Sequence, residues 1–375
     1  MPCSTPRATS WSTGLARAGG SLEPMAEGKN LVGVDIGSSA IKVCQLKETR
    51  KGLSLVKLGF EPLPPQTIID GHVMNSGAVV EALTKAFRDA NMKSRDVALG
   101  VSGQSVIIRK ISVPLMTPAE LDEQIQWEAE QHIPFDIKDV QIDFEVLRRR
   151  PEAGQMDLLL VAAKRDEIND YAELAREAKL RPMCVDIDAF SIQNIFEVTY
   201  GLPQDQTIAL INVGASLSSL NIVAHGVSAF TRDIANGGNS FTEEIQKQLG
   251  VSREQAEAYK VGGTGTEPVP AQVNNVLAQV ADGLAGEIQR SLDFFLATNA
   301  EGGEIARIYL AGGGASLPSL ASAIERRAHV PVERFNPMAK VAVEPGLDAQ
   351  SALARGEQLA VALGLALRKD KEKRS

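Results

Sequence analysis

Asp35, Gly37, Ser38, Ser39 and Lys42 lie close together in "LVGVDIGSSAIKVCQL" (31–46), between two runs of aliphatic and β-branched residues. Glycine lets a backbone approach a ligand closely, and successive N–H groups with serine hydroxyls form a concave set of donors for anionic oxygens. A carboxylate at that spot repels phosphate directly, so Asp35 reads as holding a hydrated Mg²⁺ that bridges to the phosphates. Lys42 reads either as a point charge on the same phosphates or as an exposed strand lysine.

The pattern returns in "IALINVGASLSSLNIVAHG" (208–226), where Asn212 answers Asp35, Gly214 answers Gly37 and Ser216 answers Ser39. A third element, "LAGGGASLPSL" (310–320), puts Gly312, Gly313 and Gly314 at a strand-to-helix turn, where an adenosine could lie against bare backbone. One hairpin alone is a common strand-end turn. A duplicated hairpin half a chain apart predicts two similar lobes facing one another across a cleft.

Positioning these turns requires an α/β scaffold. The chain opens with two strands joined near Lys51 and Gly52, a helix over Glu81–Asn91 and a buried strand in "DVALGVSG" (96–103). In "TPAELDEQIQWEAEQHI", Thr117 is a candidate N-cap, Pro118 occupies the first helical position and Glu120 completes a capping box, with the helix ending before Pro134. Strands at 141–147 and 156–164 and a helix over Asp166–Lys179 follow, so 105–186 reads as a small inserted α-β-β-α block. Trp127 and Phe135 flank a helix end in this block and fit either core packing or an exposed partner groove. Beyond it come a helix through "DAFSIQNIFEVTY", the second hairpin, "VSAFTRDIANGGNSFTEEIQKQLG" turning into a helix, helical segments near 252–260 and 270–298, and a last strand, glycine turn and helix.

Composition excludes several function classes. A hydrophobic fraction of 44% is that of a globular protein, and a net charge of −8 with pI near 5.3 argues against nucleic-acid binding. Cys3, Cys44 and Cys184 include no CxxC and read as reduced thiols, and His72, His132, His225 and His329 recur in no metal-ligand spacing. No apolar run approaches the roughly 20 residues a spanning helix needs. Residues 1–28 read as a disordered N-terminal extension, with Met25 as an alternative start, and 369–375 as a charged tail.

In this order, the two phosphate hairpins and the adenosine glycine turn resemble the actin, Hsp70 and sugar-kinase superfold. The inserted block with "WEAEQHIPFDI", the "NGGNSFTEEI" turn, "RSLDFF" and the closing "EQLAVALGLALR" narrow the resemblance to the PilM family of type IV pilus assembly proteins, relatives of the division protein FtsA. It spans about residues 29–368. The implied fold is a two-lobed, actin-like (ribonuclease H-like) ATPase with an inserted small α+β subdomain. Lobe 1 would take 29–104, 187–206 and 338–368, and the partner-binding insert 105–186. Lobe 2 would take 207–243 and 304–337, with a further subdomain at 244–303.

The resemblance implies that Gly37, Ser38, Ser39 and Lys42 form the first phosphate loop and Gly214, Ala215 and Ser216 the second. Gly312, Gly313 and Gly314 would lie beside the nucleoside of ATP. Gly237, Gly238 and the helix carrying Glu243 and Lys247 would close over the ribose and base. Asp35 and Asn212 would hold Mg²⁺ through water. Asn212 departs from the second aspartate of hydrolysing relatives, which predicts retained binding with slow or undetectable turnover. Asp188 is a candidate for positioning water, although an acid at a helix N-terminus is equally explained by the macrodipole.

The implied function is a cytoplasmic ATP-binding platform at the inner membrane, gripping the cytoplasmic N-terminal peptide of PilN. The PilN/PilO complex and the pilus motor ATPases are further implied partners, and a homo-oligomer is left open. Two alternatives compete. An FtsA-like filament would normally carry an amphipathic C-terminal membrane helix, whereas "RKDKEKRS" is charged throughout. A sugar kinase needs a carboxylate base presented to a sugar hydroxyl, and the sequence offers none.

Overall fold

The computed structural model describes residues 28–50, 52–69, 71–263, 268–299 and 303–370. The expected N-terminal extension up to residue 27, Cys3 and the end of the charged tail lie outside them.

The first lobe begins with β1 (Val32–Ile36), β2 (Ala40–Thr49) and β3 (Gly52–Pro62), an antiparallel meander. A small ribbon of β4 (Ile68–Ile69) and β5 (His72–Val73) leads into α1 (Ser76–Asp89). Asn75 starts this helix before the expected Glu81, because its side-chain oxygen accepts the Ala78 N–H at 3.0 Å. Val79, Leu83, Ala86 and Phe87 form its buried stripe. Next comes β6 (Asp96–Val101), parallel to β1.

The inserted subdomain consists of β7 (Val106–Pro114), α2 (Pro118–Glu130), β8 (Val140–Arg150) and β9 (Gln155–Lys164), with strand order β7-β9-β8. The capping box of α2 forms as its sequence dictates. Thr117 N–H donates to Glu120 Oε2 at 2.8 Å, and the Thr117 hydroxyl oxygen accepts the Glu120 N–H at 3.4 Å. Beyond the insert lie α3 (Arg165–Glu177), β10 (Arg181–Ile187) and α4 (Asp188–Tyr200).

Here the topology differs from the expected block at 105–186. β10 pairs in parallel with β6 in the first sheet, and α3 buries Ile168, Tyr171, Leu174 and Ala175 in the lobe 1 core. The insert proper is therefore β-α-β-β and ends near Lys164. Two things hid this: the strand at β7 was not read from the sequence, and membership of β10 in the first sheet is decided by its pairing with β6, which nothing local in "RPMCVDI" announces.

Lobe 2 repeats the first plan. β11 (Thr207–Val213), β12 (Ser218–Ala224) and β13 (Val227–Ile234) form a second antiparallel meander. After α5 (Gly238–Leu249), α6 (Arg253–Lys260) and α7 (Ala271–Thr298), β14 (Ile305–Ala311) pairs in parallel with β11. The chain continues through α8 (Leu320–Ala328), β15 (Val332–Arg334), β16 (Val341–Val343), α9 (Ala349–Ala354) and α10 (Ala360–Leu365). The sheets read β10-β6-β1-β2-β3-β16 and β13-β12-β11-β14-β15. In each sheet an antiparallel meander runs into a strand parallel to its first member, which is the duplication announced by the two hairpins. Within the further subdomain expected at 244–303, Ile245, Val276, Leu284 and Phe295 are buried in the same cluster as the second sheet.

Helices α4 and α10 join the lobes. Ile192, Ile195 and Phe196 of α4 and Leu363 and Leu365 of α10 share one buried cluster with Leu46 of the first sheet and Leu210 of the second. The helices meet so closely that a Cβ on Gly364 would lie 1.8 Å from the Ser191 carbonyl oxygen. This shared core fixes one lobe against the other, and so fixes the two hairpin turns.

Candidate functional site

The two turns are built alike. Gly37 N–H donates to the Ala40 carbonyl at 3.2 Å, and Gly214 N–H to the Leu217 carbonyl at 2.9 Å. Asp35 lies opposite Lys42 in the first hairpin, and Asn212 lies opposite Ser219 in the second. The turns face each other across the cleft, and the Ser216 hydroxyl donates to that of Ser38 at 3.0 Å. Ser39, Gly214 and Ala215 flank this contact along the chain.

Lys42 Nζ binds Asp35 Oδ2 at 3.0 Å, so the structure pairs these two charges with each other. A Cβ on Gly37 would lie 2.9 Å from that ammonium and 3.2 Å from the Ala40 carbonyl oxygen, so a side chain there would press on the Lys42–Asp35 pair. Asp188, the first residue of α4, stands nearby. A Cβ on Gly100 would come within 2.2 Å of its Oδ1. Burial and the neighbouring Asp35 carboxylate push the Asp188 carboxyl up to about 7, against a Ser102 hydrogen bond and the Lys42 charge. Asp233 on β13 is also raised by burial, although Gly103 N–H donates to its Oδ2 at 2.6 Å.

The second turn rests on the start of α5. Gly238 N–H donates to the Gly214 carbonyl at 2.9 Å and Asn239 N–H to the Ala215 carbonyl at 2.7 Å. A Cβ on Gly237 would lie 2.6 Å from the Gly214 carbonyl oxygen. At the third glycine element, Gly312 has φ +83° and its amide donates to the Glu357 carbonyl at 2.8 Å. A Cβ there would meet Asn212 Oδ1 at 2.5 Å, and one on Gly314 would meet Val213 Cγ1 at 2.2 Å. Gly312–Gly314 thus packs directly beside the second hairpin.

Glu243 and Lys247 lie on α5, with Lys247 3.6 Å from Glu244 and turned to solvent. The buried cation of this region is Lys260, whose Nζ donates to the Gly238 carbonyl at 3.1 Å and to Thr242 Oγ1 at 3.0 Å. Sequence reading missed Lys260, Asp233, Asn239 and Arg253, since none belongs to a turn that repeats. Asn239 was the most legible of these, lying directly after the quoted glycine pair. Trp127 is 73% exposed, so core packing does not account for it, whereas Phe135 is partly buried under Lys164. All four histidines are exposed.

The donor set fits a polyphosphate: two glycine turns, the Ser38 and Ser216 hydroxyls and one lysine converge. For a metal the fit is narrower. Among the described residues no group of three His, Cys, Asp or Glu side chains is placed to hold an ion. An ion at Asp35 and Asn212 would therefore be held through water and phosphate.

The comparisons agree with this architecture. Over 253 residues the chain is 22% identical to the cell division protein FtsA of Neisseria meningitidis serogroup B, covering 61% of this chain and 60% of that protein. Over 259 residues it is 24% identical to FtsA of Bacillus subtilis, covering 61% and 57%. A solved PilM–PilN type IV pilus biogenesis complex superposes with TM-score 0.81 at 29% identity, over 92% of this chain and all of that one. The ethanolamine utilization protein EutJ of Carboxydothermus hydrogenoformans, at TM-score 0.55 and 11% identity, shares the fold over 92% of this chain and 91% of its own. The two-lobed fold is thus actin-like. The model of the family described as type IV pilus assembly protein PilM matches residues 33–370. Because that span takes in both turns, the inserted subdomain and α10, the chain belongs to the PilM family of type IV pilus assembly proteins.

Proposed function

We propose that this chain is an ATP-binding platform of the pilus assembly complex, holding nucleotide between its two hairpin turns and hydrolysing it slowly or not at all. The observation that carries the reading is the convergence of two equivalent glycine turns, tip to tip, at Ser38 and Ser216. Gly37, Ser38, Ser39 and Lys42 would serve one side of the phosphates, and Gly214, Ala215 and Ser216 the other. Gly312, Gly313 and Gly314 would serve the nucleoside, and Gly237 and Gly238 would buttress the second turn. Mg²⁺ would neutralise phosphate charge, with Asp35 and Asn212 behind its water shell. Asp188 would position water. Asn212 brings no charge to that task, which is the reason to expect little turnover.

The inserted subdomain would take the cytoplasmic N-terminal peptide of PilN. The likeness to a PilM–PilN complex supports this. So does a cavity of about 370 Å³ between α2 and β8, where Ile125, Ile142 and Phe144 lie among the charged side chains of Asp122, Lys138 and Arg165. No helix among the described residues is long and apolar enough to cross a membrane. On this reading the inner membrane is reached through PilN and PilO.

Two measurements test the proposal. Nucleotide released from denatured, freshly purified protein should be identified by mass as ATP or ADP. A PilN N-terminal peptide should bind by calorimetry with ATP present. A chain that neither carries nor binds adenine nucleotide overturns the cleft assignment, and a silent peptide titration overturns the platform.

A further inference from the structure

The second turn is tied to α6 by a relay of side chains. Arg253 Nη2 donates to Asn239 Oδ1 at 3.0 Å. Asn239 Nδ2 donates to Ser216 Oγ at 3.1 Å, and Ser216 Oγ donates to Ser38 Oγ at 3.0 Å. The relay begins on α6, passes the first turn of α5 and ends on the opposite lobe.

The direction of this relay is fixed by chemistry. A guanidinium has donors only, so the atom of Asn239 that faces Arg253 must be its oxygen. The amide nitrogen is thereby turned toward the two hairpin tips. It carries two N–H donors, and Ser216 takes one of them. The backbone at this helix start is already committed, because the amides of Gly238 and Asn239 donate to the carbonyls of Gly214 and Ala215. The polar contribution of this helix start to the cleft therefore comes from the Asn239 side chain.

We propose that Asn239, held in one amide orientation by Arg253, is a further phosphate-binding residue of the cleft, with Arg253 as its positioning residue. This rests on the nucleotide reading given above. A hydroxyl pair 3.0 Å apart leaves no room for a phosphoryl group, so nucleotide entry must part Ser38 from Ser216. When it does, the Ser216 hydroxyl turns its hydrogen to a phosphate oxygen, and the Asn239 amide lies beside it as a second neutral donor. Arg253 adds positive charge behind that amide. The cleft thus gains a donor on the lobe that lacks an equivalent of Lys42, where the second hairpin carries Ser219.

The test measures binding of ATP, ADP and adenosine to the purified chain and to three variants by calorimetry, with melting curves for each. Asn239→Asp keeps an acceptor for Arg253 but replaces the donor with a charge that repels phosphate. ATP affinity should fall tenfold or more, while adenosine affinity holds. Arg253→Gln should give a smaller loss of the same kind, and Arg253→Lys should restore part of it. A purely structural relay would instead lower the melting temperature and weaken all three ligands alike, which would overturn the proposal. Unchanged ATP affinity in Asn239→Asp would overturn it too, while leaving the nucleotide reading standing. Failure of the unaltered chain to bind ATP would overturn both.

Discussion

The Ser216 hydroxyl donates to the Ser38 hydroxyl at 3.0 Å, although the two lie 178 positions apart on opposite lobes. The contact joins the tips of two hairpins whose own glycine amides close equivalent turns. It closes the cleft at the place where the donors for a polyphosphate converge. On the proposed reading, nucleotide entry therefore requires the two tips to part, and binding can be read through that parting.

A disulfide between these tips should exclude nucleotide. Hydroxyl oxygens at 3.0 Å put two sulfurs close to the ~2.05 Å of an S–S bond after a small shift. In a Cys3→Ser background, the double variant Ser38→Cys, Ser216→Cys should bind ATP when reduced and lose it when oxidised. Cys44 and Cys184 are buried and should not interfere. Equal ATP affinity in both redox states would show that nucleotide does not pass between the turns.

The second hairpin should set the hydrolysis rate. Asn212 lies opposite Ser219, and its amide oxygen faces Gly312. Asn212→Asp gives the second turn the charge that Asp35 gives the first, and phosphate release should rise by tenfold or more with Mg²⁺ present. Single-turnover assays check this. Loss of ATP affinity with no gain in rate would contradict the role given to this position.

The lobes share one core, and its tightest point is open to test. At Gly364 an added methyl would sit 1.8 Å from the Ser191 carbonyl oxygen, and backbone rather than a flexible side chain must give way. Gly364→Ala should cost about 3 kcal/mol in urea unfolding. At Gly283, in the middle of α7, an added methyl would meet nothing within 4 Å, and Gly283→Ala should gain roughly 0.5–1 kcal/mol. Opposite signs are expected for the same chemical change.

Much of this was legible in the sequence. The hairpins could be read because each concentrates a strand, a polar residue, a glycine and small residues within one local segment, and because they repeat. The capping box at Thr117 and Glu120 was legible for the same reason, since both partners lie within one helical turn. The limits of the insert were not. Membership of β10 in the first sheet is decided by pairing with β6, a non-local contact that "RPMCVDI" does not announce. The relay from Arg253 through Asn239 depends on three elements meeting, and no spacing encodes that.

Asp188 gives the molecule a pH dependence whose sign follows from burial. Its carboxyl is raised from an ordinary 3.8 to about 7, first by burial and then by Asp35. The folded chain therefore holds this proton more tightly than the unfolded chain does. Between about pH 4 and 7 the folded state binds more protons, so its stability falls as pH rises through that window and levels off above it. Asp188→Asn removes the buried charge and keeps the side chain's size. Its stability relative to the unaltered chain should be unchanged near pH 4, should rise through the window and should level off by pH 8 at a few kcal/mol, at most about 4. Urea unfolding at several pH values reads this directly. A difference independent of pH would mean that Lys42 and Ser102 hold Asp188 ionised throughout. The same variant separates the two readings of this residue. If Asp188 positions water, the hydrolysis of the Asn212→Asp chain should collapse when Asp188→Asn is added, whereas a role confined to the helix dipole would leave that rate intact.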